Sequence, residues 1–195
     1  MSDLASSDDA VAATPSRWGD ALLAAALVAV DPAGTGAAVR ARPGPVREAW
    51  LEALTGLLPA EVPRRRLPAH VTEDRLLGGL DLAATLKAGK PMAERGLLAD
   101  AHGGLVIVPM AERLAGGVTA QLARALDRGE LTVEREGLGL KMPARIGVVA
   151  LDEGAEPEER LPAALADRLA FALDLTELAW RDAREPSPLT AADVV

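Results

Sequence analysis

Leu105-Val106-Ile107-Val108 is an unbroken apolar run between Gly103-Gly104 and Pro109, the pattern of a strand buried on both faces. Ile146 to Leu151 repeats that pattern, and Phe171 to Leu175 gives a shorter version. Elsewhere the apolar residues recur at helical spacing. Arg17 to Val30 predicts a helix with Ser16 as its N-cap. Val46 to Leu58 predicts a second, with Val46, Trp50, Leu54, Leu57 and Leu58 along one side and Pro59 and Pro63 ending it. Thr72-Glu73-Asp74-Arg75 opens a helical turn near Gly78-Gly79, and Asp81 to Lys87 is a short helix closed by Gly89. Glu112 to Asp127 is helical but broken or delayed by Gly116-Gly117, and Leu161 to Leu169 is a further helix.

The remaining segments fill in a sheet. Ala37 to Ala41 is a short strand between a turn at Asp31 to Gly36 and another at Arg42 to Pro45. Arg64-Arg65-Arg66 leads into an extended segment at Leu67 to Val71, and Lys90 to Leu98 is a hairpin or loop insert. Glu130 to Arg135 and Leu138 to Met142, joined at Glu136-Gly137, predict a β-hairpin. Helix and strand alternate through most of the chain. The expected class is therefore α/β, a central, mostly parallel sheet with flanking helices and a β-hairpin insert. Residues 1–16 are Ser/Asp/Ala-rich and expected to be a disordered tail, residues 17–182 form the domain, and residues 183–195 start a linker or a truncated lid.

Composition narrows the classes. Hydrophobic residues make up 49% of the chain but aromatics only 2%, so Ala, Leu and Val carry the packing. The net charge of −8 argues against general nucleic-acid binding. Without cysteine there is neither a disulfide nor a thiolate metal site, and His70 and His102 cannot build a zinc site alone. Ala21 to Val30 is too short to cross a bilayer, which takes about 20 residues. The polar, acidic N-terminus lacks the features of a secretory signal, and a cytoplasmic domain is expected.

Two places look like a phosphate loop. Gly34-Thr35-Gly36 is followed by Ala37 and Ala38, lacks the lysine and the hydroxyl such a loop needs, and follows no strand; it reads as a turn. Ala41 to Glu48 has the correct strand–loop–helix order. There, Arg47 stands where the lysine would be and Glu48 where the Ser/Thr would be, and only Gly44 survives. Pro45 removes an N–H from the phosphate cradle, and Glu48 puts negative charge at the helix start, which suits the helix and repels phosphate. The strand at 105–108 ends in Pro109-Met110 where a nucleotide hydrolase of this layout carries two metal-handling acids. Productive ATP binding is not expected.

Other charged and aromatic positions have plain readings. Arg64-Arg65-Arg66 is a solvated face or a patch for an acidic partner. Glu153 to Glu159 is a solvated acidic loop, and Trp18, Trp50 and Trp180 are core or interface anchors. Asp167-Arg168, at a helix end before a strand, reads from the residues alone as a surface ion pair.

The block Thr72-Glu73-Asp74-Arg75-Leu76-Leu77-Gly78-Gly79-Leu80-Asp81 closely resembles the magnesium chelatase AAA+ subunits. Glu94-Arg95-Gly96-Leu97-Leu98-Ala99, Gly103-Gly104, Glu134-Arg135-Glu136-Gly137, Pro143-Ala144-Arg145 and Ala29-Val30-Asp31-Pro32 agree in order, so that the resemblance runs from Trp18 to Trp180. The replacements at Arg47-Glu48 and Pro109-Met110 resemble the D type, whose AAA+ domain is degenerate, more than the ATPase I type.

The resemblance carries several implications. The fold is an AAA+ core whose helical lid is expected to be missing after Trp180. The full D subunit continues into an acidic Pro-rich linker and an integrin-I-like domain. The family's sensor asparagine falls near Asp152-Glu153, and its arginine finger falls on Arg168, with Asp167 before it. A subunit can complete a neighbour's active site without having one of its own. The implied role is a ring platform, by family expectation a hexamer, for the I subunit. That assembly inserts Mg²⁺ into protoporphyrin IX held by an H subunit, using ATP and Mg²⁺. This chain itself is expected to hold no cofactor and no metal. Two rivals remain at this point: an atypical ATPase built around Gly44 and Arg47, and a regulatory scaffold unrelated to chelation.

Overall fold

The computed structural model describes residues 16–68, 70–89, 92–135, 138–156 and 158–184. The tail expected over 1–16, apart from Ser16, lies outside the described residues, as do 185–195 and the Glu136-Gly137 turn.

Five parallel strands form the central sheet: β1 (Ala37–Arg40), β2 (Arg64–Arg66), β5 (Leu105–Val108), β8 (Gly147–Asp152) and β9 (Phe171–Asp174), in the order β2-β5-β8-β1-β9. Alternate residues of the buried strands feed two cores. Leu105, Val149 and Leu151 pack with Val39, Trp50 and Leu54 on one face. Val106, Val108, Val148 and Ala150 pack with Leu98, Leu122 and Leu165 on the other. Because both faces are covered, these strands read as continuous apolar runs.

The first core lies beneath α1 (Arg17–Val30) and α2 (Pro45–Leu57). Ser16 Oγ accepts the Gly19 N–H at 2.9 Å, so α1 begins where its cap predicts. Trp50 is fully buried and donates its indole N–H to the Ala21 carbonyl at 2.7 Å, which joins α2 to α1.

The second face carries α3 (Glu73–Leu77), α5 (Leu97–Asp100), α6 (Gly116–Arg128) and α7 (Ala163–Ala166). A small antiparallel pair, β3 (Gly78–Leu80) and β4 (Ala93–Arg95), brackets α4 (Leu82–Ala88). A Cβ on Gly96 would lie 2.2 Å from the Gly78 nitrogen, and Gly78 itself has φ +84°. These glycines let the two family-like blocks pass backbone against backbone. The hairpin β6 (Glu130–Arg135) and β7 (Leu138–Pro143) forms where alternation predicts it.

Two expectations change and one is sharpened. The arginine run is itself the edge strand β2, and Leu67 beyond it is buried. The helix expected at 161–169 is one turn at 163–166, because Pro162 opens it and the chain must descend into β9 at Phe171. The helix expected from Glu112 is a 3-10 turn at Ala111–Arg113 and then α6 from Gly116, so Gly116-Gly117 delays it. The strand β3 and helix α5 are too short to show a period.

Candidate functional site

The parallel sheet places the loop after β1, the end of β5 and the end of β8 at one edge, where nucleotides bind in sheets of this kind. Gly44 is the N-cap of α2, with Pro45 as its first residue. Pro43 and Pro45 have no N–H, and the Ala41 N–H is bonded to the Asp152 carbonyl at 3.0 Å. From 41 to 45, only Arg42 and Gly44 keep a backbone donor for an anion.

Arg47 does not reach toward an empty cradle. Its side chain is 9% exposed, and Nη1 donates to Glu153 Oε1 at 2.8 Å. Nη2 and Nε donate to Glu48 Oε1 at 2.8 and 3.1 Å. The would-be phosphate contact is thus neutralised from within the chain, by the residue after it and by the residue following β8. Glu153 is held in turn, its N–H donating to Glu112 Oε2 at 3.0 Å. Glu112 is enclosed, and its other oxygen accepts no hydrogen bond, although Arg113 Nε lies 3.4 Å away. Arg40 closes the same edge: it donates to Asp152 Oδ2 at 3.3 Å and to the Gly154 carbonyl at 3.2 Å.

Pro109 and Met110 follow β5 and line a cleft of about 490 Å³ with His70, Val71, Leu114 and Val118. Met110 sits at φ +48°, in the left-handed region that non-glycine residues seldom adopt. No carboxylate projects from this pair, and no group of three metal-ligating side chains exists among the described residues. The site therefore does not fit Mg-ATP: its donors are depleted, its cation is already paired, and the metal-handling acids are absent. An ATPase built around Gly44 and Arg47 has no support in this geometry.

Arg168 lies just past α7, on the opposite face of the sheet from α2. Its Nε and Nη2 donate to the two oxygens of Asp127, near the end of α6, and its Nη1 donates to the Ala164 carbonyl at 2.6 Å. The guanidinium holds the Asp127 carboxyl below the usual carboxylate range, chiefly through these hydrogen bonds, and the carboxylate raises Arg168 in turn. Two of the five guanidinium N–H groups remain for another acceptor. Asp167 adds only Coulombic support.

The structure brings Gly44, Arg47 and Glu48 together with Glu153, and keeps Arg168 with Asp127. Sequence reading takes Glu153 to Glu159 as solvated, but Glu153 is the counter-ion of Arg47. Glu159 accepts the Ala155 N–H at 3.0 Å, which with a second bond from Glu156 lowers its pKa. A buried arginine demands a carboxylate, and that demand was the available signal for Glu153. Nothing in the spacing of Asp127 and Arg168 announces their pairing. Of the tryptophans, Trp18 and Trp50 are core, whereas Trp180 is 47% exposed.

No protein-family model matches the chain. It is 41% identical over 180 residues to the magnesium-chelatase 60 kDa subunit of Cereibacter sphaeroides, which covers 90% of this chain and 29% of that protein. To the magnesium-chelatase 38 kDa subunit of the same organism it is 34% identical over 121 residues, 62% of this chain and 36% of the relative. The chain thus spans under a third of the 60 kDa relative's length. Among solved structures it is similar to a chain in a model of the complex between subunits BchI and BchD of magnesium chelatase. That match has TM-score 0.65 and 27% identity, covering 84% of this chain and 61% of that one. The sheet order and the flanking helices are those of an AAA+ core. The similarity is higher and longer toward the 60 kDa subunit: this chain belongs to the family of D-type AAA+ subunits of magnesium chelatase.

Proposed function

We propose that this chain is the non-hydrolysing AAA+ subunit of magnesium chelatase. It acts as a platform for the ATPase I subunit in the ATP-dependent insertion of Mg²⁺ into protoporphyrin IX, in (bacterio)chlorophyll biosynthesis. The observation that carries this reading is Arg47, paired with Glu153 and Glu48 where a nucleotide phosphate would sit. A subunit with that pocket contributes assembly and not hydrolysis. ATP and Mg²⁺ belong to the complex and not to a site in this chain. The partners are the I subunit, the porphyrin-binding H subunit and further copies in a ring, by family expectation a hexamer, in the cytoplasm.

Arg168 is the residue of this chain assigned to a neighbour's nucleotide. Its two remaining N–H groups and its 32% side-chain exposure support that role. Residues 17–182 are the AAA+ unit.

Light-scattering chromatography of the chain mixed with an I-type subunit, with and without Mg-ATP, tests the reading. The expected result is a large complex that depends on Mg-ATP. Two separate small species under both conditions would overturn the platform role for this chain.

A further inference from the structure

The outer edge of the central sheet carries a feature that the nucleotide edge does not use. β2 is the outermost strand and consists of Arg64, Arg65 and Arg66, all exposed. In a chain of net charge −8, three consecutive cations on one edge are a strong local reversal of sign. Arg66 has no hydrogen bond or ion pair among the described residues. Arg64 donates to the Thr55 carbonyl and Arg65 only to the Arg64 carbonyl, at 3.0 and 3.5 Å. None of these contacts neutralises a guanidinium.

The backbone of the strand is equally available. Leu105 N–H donates to the Pro63 carbonyl at 2.8 Å, and Leu67 N–H donates to the Ile107 carbonyl at 2.9 Å. Residues 63, 65 and 67 therefore turn their backbone groups toward β5. By the two-residue period of a strand, Arg64 and Arg66 turn theirs outward. Beside this edge lies a cleft of about 340 Å³, with Pro68, Val71 and Leu97 in its wall. Asp74, Glu94 and Asp100 also line it, and Arg95 is committed to Asp100. Recognition of acid thus rests on the strand's own arginines and not on the cleft.

We infer that the free edge of β2 is a docking strand for an extended acidic peptide of a separate polypeptide, added alongside Arg64 and Arg66. Main-chain bonds would give such a strand its register, and carboxylates at alternate positions would meet the guanidiniums. Charge on an edge strand also guards against unwanted pairing. A purely protective role predicts no capture of any peptide by this edge. The inference stands independently of the chelatase reading.

The test uses the whole chain and a fluorescein-labelled octapeptide of alternating Glu and Val, read by anisotropy and by residue-resolved amide exchange. The expected result is binding that protects the Arg64 and Arg66 amides and leaves the Arg65 amide, already bonded to β5, unchanged. Arg64→Glu with Arg66→Glu weakens binding roughly tenfold or more, since two exposed ion pairs are lost and the new charges repel the peptide. The same peptide methylated on alternate backbone nitrogens loses binding, while circular dichroism of the double variant stays unchanged. Absence of binding would overturn the inference. So would binding without protection at Arg64 and Arg66, or a single-stranded oligonucleotide binding as tightly as the peptide.

Discussion

Arg168 grips Asp127 through two parallel hydrogen bonds, each 2.7 Å long, from Nε and Nη2 to the two carboxylate oxygens. This is the planar fork that lysine cannot reproduce. The pair fixes the guanidinium between α6 and the end of α7 while leaving donors unspent. If Arg168 serves a neighbouring subunit, Arg168→Ala lowers the ATPase rate of an I-type subunit in the mixture by roughly tenfold or more. Arginine fingers contribute about 10³–10⁵ in GTPases. Arg168→Lys keeps the charge but loses the fork, and falls close to the alanine variant. Steady-state ATPase assays of the mixture decide it: an unchanged rate with Arg168→Ala removes the trans role.

The same pair sets an acid dependence. The carboxyls of Asp127, Glu159 and Asp174 all titrate below their ordinary values, through bonds from Arg168, from the Ala155 and Glu156 backbone, and from Thr176 respectively. A carboxyl whose folded pKa is depressed binds fewer protons folded than unfolded. Its stabilisation is present above the unfolded pKa, about 4, and disappears as pH falls through the folded value. Urea unfolding at pH 7, 5 and 3 is expected to show little change over the first interval and a clear loss over the second. Asp127→Asn makes that acid-side loss smaller. A stability that rises from pH 5 to pH 3 would contradict the assignment.

Arg47 and Glu153 make a prediction about repair. Arg47→Lys with Glu48→Thr restores the side chains of a phosphate loop, yet it is expected to give no Mg-ATP binding by calorimetry. Pro43 and Pro45 still deny their N–H groups, and Pro109 and Met110 still offer no carboxylate. Arg47→Ala leaves Glu153, with a side chain 17% exposed, without its cation, and costs about 1–3 kcal/mol in urea unfolding. Tight nucleotide binding by the double variant would show that the backbone cradle is intact after all.

Much of this architecture is legible from residues alone, for identifiable reasons. The strands at 105–108 and 147–152 are buried on both faces, so their apolar runs carry no ambiguity. Helix α1 begins at its cap, and Gly89 and Gly129 end α4 and α6 in the left-handed conformation. Short elements fail this test: α5 and α7 each span a single turn, and β2 hides inside a run of arginines that pattern reading assigns to solvent. The site was half legible. Sequence position identifies Arg47, Glu48, Pro109 and Met110 as departures from a nucleotide pocket. The carboxylates that hold Arg47 and Arg168, Glu153 and Asp127, lie 106 and 41 residues away from them in the chain, and only the fold brings them near.

Glycine positions separate close backbone contact from mere turn composition. Gly96→Ala places a methyl 2.2 Å from the Gly78 nitrogen and 2.6 Å from the Leu76 carbonyl oxygen, both backbone atoms that cannot swing aside. The β3–β4 pair and the start of α5 must then separate, at a cost of about 1–3 kcal/mol by analogy with overpacked cores. Gly56, on the exposed side of α2, has no atom within 4 Å of an added Cβ. Gly56→Ala is therefore expected to stabilise the chain by about 0.4–1 kcal/mol, because it restricts the unfolded state and favours the helix. Chemical denaturation of the two variants side by side, monitored by circular dichroism, checks both signs at once. If Gly96→Ala unfolds at the same denaturant concentration as the parent, the tight crossing of the two family-like blocks is not what holds β3 against β4.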